Sequence, residues 1–153
     1  VNPYMGGDTI EPFSQYKDQG VFVLCRTSNE GASEFQNLIV GDGEPLYTFV
    51  ADRALNAWNT HQNIGLVVGA TAIKELRKIR SQFPEAWFLV PGVGAQGGDL
   101  QSVIEYGQRA DGQGGLIVNS ARGILYAGSG DDFAVKAQEA AESLQYQMAK
   151  SFP

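Results

Sequence analysis

The chain has 153 residues, 43% of them hydrophobic, enough for one domain with a genuine core. Its 11 Lys and Arg stand against 17 Asp and Glu, giving a net charge of -6, and no Lys/Arg-rich run exists. This argues against a nucleic-acid or anionic-membrane surface, because both need clustered positive charge. A lone Cys25 cannot close an internal disulfide and no Cys/His cluster suggests zinc, so a reducing, cytoplasmic setting is expected.

The N-terminal stretch Val1-Asn-Pro-Tyr-Met-Gly-Gly-Asp8 has no initiator Met, basic region or apolar region, so it does not read as a signal peptide. It reads as the end of a strand running into a loop, as if the chain began inside a larger fold. The first strand is expected at Val21–Arg26. A helical stripe follows through Leu46, Phe49, Val50, Arg53, Ala54, Ala57 and Trp58. The second strand is expected over 65–69, and a helix through Ile73, Leu76, Ile79 and Arg80 follows the cap candidate Thr71. The third strand is expected over 87–90, followed by Asp99 as cap and a stripe of Leu100, Val103, Ile104 and Gly107. The fourth is expected at Leu116–Asn119, and Asp131 and Asp132 precede a stripe of Ala134, Val135, Ala137, Ala141 and Leu144. The apolar runs do not alternate, which predicts strands covered on both faces, and the longest, 21–25 and 64–68, are far too short to span a bilayer.

Strand then helix, repeated four times after a strand remnant with no linker or low-complexity tract, predicts a single α/β domain over 1–153. Two architectures accept the pattern: an open doubly wound sheet, or about half of a (β/α)8 barrel, which typically needs about 250 residues. In both, ligands gather at the carboxyl ends of the strands.

The loops at those ends are Arg26-Thr-Ser-Asn-Glu-Gly-Ala32, Gly69-Ala-Thr71, Pro91-Gly-Val-Gly-Ala-Gln-Gly-Gly-Asp99 and Ser120-Ala-Arg-Gly-Ile124. Glycines in the third leave backbone N–H groups unobstructed just before a helix, which suits an anion and equally suits a tight strand-to-helix turn. Arg122, between the small residues Ala121 and Gly123, adds a planar guanidinium at the neighbouring strand end. Together they favour a phosphate site of the kind built by the last two strands of many barrels.

These loops, taken in order from Val1 to about residue 127, resemble orotidine 5'-phosphate decarboxylase in the form common in bacteria. The resemblance implies a TIM (β/α)8 barrel, with this chain covering roughly strands five to eight. It further implies no cofactor or metal, and conversion of orotidine monophosphate to uridine monophosphate and carbon dioxide. It implies that Gln96 and Arg122 grip the 5'-phosphate, with backbone near Gly123 assisting. Ser28 would hydrogen-bond the pyrimidine edge, Pro91 and Val93 would wall the base, and Leu24 and Val68 would line an apolar pocket near the departing carboxylate. Members of the family are usually homodimers.

The catalytic array that the family carries, Asp-x-Lys-x-x-Asp, is absent: none of Lys17, Lys74, Lys78, Lys136 and Lys150 has that setting. Decarboxylation leaves a carbanion that a placed ammonium must stabilise and protonate. The chain is therefore expected to be inactive alone, with two bare sheet edges that favour dimerisation, pairing with a missing N-terminal half, or marginal stability. Simpler roles are expected elsewhere. Cys25 reads as an inert small hydrophobe, His61 as solvated, Asp8 as a turn residue or a ligand contact, and Lys74, Arg77, Lys78 and Arg80 as a solvated basic face. The alternatives to a decarboxylase segment are another phosphate-binding barrel enzyme and a non-catalytic phosphate-binding half barrel.

Overall fold

The computed structural model describes residues 1–94 and 97–151. Two short 3-10 turns, Pro3–Met5 and Gly7–Thr9, lead into α1 (Glu11–Ser14) and β1 (Val21–Arg26). Next come α2 (Ala32–Gln36), a hairpin of β2 (Ile39–Val40) and β3 (Glu44–Pro45), and α3 (Leu46–Asp52) with a π-helical extension, Arg53–Ala57. The order ends with β4 (Ile64–Val68), α4 (Ile73–Gln82), β5 (Phe88–Pro91), α5 (Leu100–Gly107), β6 (Leu116–Asn119), α6 (Arg122–Leu125) and α7 (Phe133–Ala149). Two strands sit one residue away from their sequence reading. Pro91 closes β5 because a final strand residue can offer its carbonyl alone, which here accepts from Ala70 N at 2.8 Å.

The sheet runs β1-β4-β5-β6, all parallel. Register makes Val23, Leu66 and Phe88 neighbours on one face, with Leu116 beside Phe88, and all four are buried in the core. Leu76 and Ile79 of α4 and Val103 and Ile104 of α5 join the same core, so the helical stripes cover this face. The other face is different. Leu24, Val67, Leu89 and Ile117 lie in one row straight across the four strands. Leu24 and Ile117 are 37% and 44% exposed. The expectation of strands covered on both faces is thus corrected, because the helices of this chain cover only one.

One edge of the sheet is started. The Val1 ammonium donates to Phe22 O at 2.7 Å, and Leu24 N donates to Val1 O at 2.8 Å, so the first residue takes the place of a further strand beside β1. On the opposite edge β6 pairs with β5 alone among the described residues.

Arg80 corrects the reading of α4's basic residues as a solvated face. It is buried, and its Nε donates to Gly107 O at 2.8 Å, its Nη1 to Phe83 O, Pro84 O and Ala86 O, and its Nη2 to Gly115 O. The guanidinium lies 4.0 Å over the Phe88 ring. Burial, with Arg109 nearby, pulls its pKa down to about 10, so it remains charged at neutral pH. It ties the amino ends of β5 and β6 to α4 and α5, at the end of the sheet away from the ligand loops.

Candidate ligand cleft at the strand ends

The loop after β1 is fixed from several sides. A register shift between Leu24 and Arg26 lets both Cys25 and Arg26 be buried at the end of the strand. Arg26 pairs with Glu75 of α4 at 3.1 Å and donates to Thr27 O at 2.7 Å. Gln36, at the end of α2, accepts from Thr27 N at 2.9 Å and donates to Thr27 Oγ1 at 2.8 Å. Thr71 is not the cap of α4: its hydroxyl donates to Ser28 O at 3.0 Å and ties the loop after β4 to the loop after β1. Gly69 makes this approach possible, since a Cβ there would stand 2.6 Å from Ser28 N.

The Gly-rich loop after β5 meets part of its expectation. Gly92, Gly94 and Gly97 have positive φ, as a tight turn requires. Yet Gly94 N donates to Gly98 O, Gly97 N to Gly94 O and Gly98 N to Gly92 O, so these three N–H groups are used within the loop. The start of α5 is also occupied: Asp99 Oδ2 accepts from Ser102 N at 2.8 Å and Ser102 Oγ at 2.7 Å. Those bonds hold the Asp99 carboxyl below the usual carboxylate range. Asp99 is the helix cap that its position suggests, and among the described residues of the loop the N–H groups of Gly94, Gly97 and Gly98 are already taken. Gln96 lies outside the described residues.

A cleft of about 460 Å³ opens at the carboxyl ends of the strands. Leu24, Thr27, Ser28, Asn29, Glu30, Val67, Pro91 and Arg122 line it. Four residues singled out in the sequence, Leu24, Ser28, Pro91 and Arg122, are therefore neighbours of one space, and exposed Gly123 follows Arg122 in the first turn of α6. Two others are elsewhere. Val68 is fully buried in the core, and Val93 is buried in the same core. Register explains the first: Leu24 pairs with Val67, so it is Val67 that shares the cleft with Leu24, and one step along a strand turns a side chain to the other face. Thr27, Asn29, Glu30 and Val67 were not singled out; strand parity was the available signal for Val67.

A second cavity, about 530 Å³, lies between the N-terminal segment, α2 and α3. Its walls include Pro3, Tyr4, Phe35, Phe49 and Trp58, and among the described residues Arg53 is its one charged lining residue. It does not combine a cation with the polar loop groups found in the strand-end cleft. Cys25 borders it, buried and with its Sγ 3.2 Å from Tyr47 O. His61 is half-buried beside Thr60, and Asp8 is exposed in the Gly7–Thr9 turn.

The family model for orotidine 5'-phosphate decarboxylase / HUMPS matches residues 1–137. Over 148 residues the chain is 52% identical to the orotidine 5'-phosphate decarboxylase of Dehalococcoides mccartyi (strain ATCC BAA-2266 / KCTC 15142 / 195), covering 95% of this chain and 54% of the relative. It is 51% identical to the enzyme of that name from Cellvibrio japonicus, covering 97% and 54%. Among solved structures, the Leishmania donovani OMP decarboxylase superposes with a TM-score of 0.78 at 43% identity, over 95% of this chain and 54% of that one. The Leishmania donovani UMP synthase superposes with a TM-score of 0.81 at 46% identity, over 94% and 31%. The chain thus spans about half the length of the curated relatives it matches.

Proposed function

The chain belongs to the orotidine 5'-phosphate decarboxylase / HUMPS family, its four βα units forming about half of the family's barrel, and from that premise we propose that it supplies the nucleotide-holding half of an orotidine 5'-phosphate decarboxylase. The observation that carries this reading is the strand-end cleft, which holds Arg122 and Ser28 in one concavity. Arg122 would grip the 5'-phosphate, joined by Gln96 and backbone near Gly123. Its planar guanidinium can bond two phosphate oxygens at once, and no acidic side chain pairs with it among the described residues. Ser28 would meet the pyrimidine edge, held in place by Thr71 and Gly69. Leu24, Val67 and Pro91 would give the base an apolar wall.

Binding alone does not decarboxylate. With no Asp-x-Lys-x-x-Asp array, no ammonium stands ready for the carbanion, so the chain holds product or substrate without turnover. The array would come from the remaining part of the barrel, and a homodimer of complete barrels in the cytoplasm would be the working form. Among the described residues no helix is long and apolar enough to cross a membrane.

Titration of the chain with uridine monophosphate, with ribulose 5-phosphate as competitor, tests the reading. Uridine monophosphate should bind more tightly, and Arg122→Ala should weaken it by roughly tenfold or more, the scale of a lost charge-assisted pair. Equal binding of the two ligands would favour another phosphate-binding barrel. No effect of Arg122→Ala would overturn the assignment of the phosphate end.

A further inference from the structure

A hydrogen-bond chain under the loop after β1 fixes the direction in which one more cleft residue faces its ligand. The chain is anchored by a group with no choice: the backbone N–H of Thr27 can only donate, and it donates to the Gln36 side chain at 2.9 Å. The accepting atom must be Oε1, and Arg26 Nη1, 3.4 Å away, approaches the same oxygen. Arg26 is itself anchored by Glu75. The other Gln36 atom is therefore Nε2, which donates to Thr27 Oγ1 at 2.8 Å. The Thr27 hydroxyl, accepting there, has one proton to give, and it gives it to Asn29 Oδ1 at 2.6 Å. The amide of Asn29 is consequently oriented, with its oxygen toward Thr27 and its NH2 left as the group it can offer to the cleft it lines.

The position along the cleft says what that NH2 meets. Arg122 follows β6 and Asn29 follows β1, three strand spacings apart, roughly 14 Å along the sheet. At the Asn29 end the charged lining residue is Glu30, which disfavours a phosphate there. A nucleotide with its phosphate on Arg122 points the far edge of its base, the edge opposite the sugar, at Ser28 and Asn29. Building on the proposed nucleotide reading of this cleft, we infer that Asn29 reads the base, donating from its side-chain NH2 to the ring carbonyl at the position where cytosine carries an amino group. Thr27 and Gln36 are positioning residues that fix the polarity of that donor. The same donor that accepts uracil leaves cytosine's amino group facing another donor, a mismatch that a site built for hydrogen bonding rejects strongly.

The test titrates the 153-residue chain and its variants by NMR with uridine monophosphate, cytidine monophosphate and ribose 5-phosphate. The unsubstituted chain should prefer uridine to cytidine monophosphate by roughly tenfold or more. Asn29→Asp puts acceptors where the donor stood, so it should erase or invert that ratio. Both nucleotides carry the same phosphate, so the added charge cancels in the ratio, and ribose 5-phosphate reports its effect separately. Thr27→Val should relax the selectivity by releasing the Asn29 amide, whereas Thr27→Ser, which keeps the hydroxyl, should retain it. A uridine-to-cytidine ratio unchanged within about twofold in Asn29→Asp, with uridine monophosphate still bound, overturns the role of Asn29 and leaves the nucleotide reading standing. Ribose 5-phosphate binding without any binding of uridine monophosphate overturns both.

Discussion

Cys25 shows how placement decides the chemistry of a residue type. Its thiol is the chain's lone sulfur nucleophile, yet it sits buried in β1 and borders the larger apolar cavity. Burial pushes its pKa up to about 12, against a smaller opposing pull from Arg26. At pH 8 the reactive thiolate is then on the order of 1 in 10,000. The folded chain should resist a thiol reagent such as dithionitrobenzoate, and one thiol should react on addition of denaturant; full reaction of the folded chain at the rate of a free thiol would contradict the burial. The linkage has a definite sign. The folded pKa lies above the unfolded one, so this contribution to stability is intact below about pH 9 and is lost as the pH rises toward 12. Urea midpoints measured on rising alkaline pH should fall through that window, and Cys25→Ser should remove this part of the slope. Arg80 makes the complementary point: on α4 it occupies a position that helical spacing alone could place at the edge of the apolar stripe or beyond it. Its burial depends on carbonyls contributed by residues 83, 84, 86, 107 and 115, a meeting of distant segments that a linear reading does not contain.

At the scale of elements, α5 depends on its first residue. Asp99 accepts from both the backbone and the hydroxyl of Ser102, and Asp99→Ala should lower the urea midpoint, whereas Asp99→Asn, which keeps a good cap, should lower it less. Because the Asp99 pKa is lowered in the folded chain, its charge-dependent contribution is present above the unfolded value of 3.8 and fades as the pH falls through the folded one. The stability gap between the unsubstituted chain and Asp99→Asn should therefore narrow in acid; a constant gap down to about pH 3 would show that the carboxylate charge contributes nothing. This cap was legible because Asp before an apolar stripe has a local cause. So were the four sheet strands, whose β-branched runs are bounded by glycine and proline. The face each residue takes was less legible: the sequence reading put Leu24 and Val68 together in an apolar pocket, whereas Val67 is the residue that shares the cleft with Leu24, and only the register between β1 and β4 reveals that parity. The hairpin of β2 and β3 escaped because strands of two residues carry no periodicity, although Gly41 and Gly43 at positive φ mark its turn. The Gly-rich loop was recognised as a strand-to-helix junction, but no spacing rule says that the N–H groups of Gly94, Gly97 and Gly98 are taken by carbonyls of the same loop.

At the scale of the molecule, the row Leu24, Val67, Leu89 and Ile117 crosses the sheet on the face that the helices leave open. In a closed βα barrel, side chains from that face fill the interior in layers. Relatives about twice as long as this chain have the additional length such closure needs. Mixing this chain with the part of the Dehalococcoides mccartyi enzyme that lies outside the matched region should produce orotidine monophosphate decarboxylation that neither piece shows alone. Ile117 separates assembly from folding in that experiment. It is 44% exposed here, so Ile117→Asp should leave the stability of the isolated chain within about 0.5 kcal/mol. Inside a closed barrel the same carboxylate would be enclosed without a partner, at a penalty of several kcal/mol. The variant should therefore fold, bind uridine monophosphate as tightly as the unsubstituted chain does, and fail to restore turnover on mixing. Undiminished turnover would mean that the row faces solvent in the assembled enzyme and that the two pieces meet along some other surface.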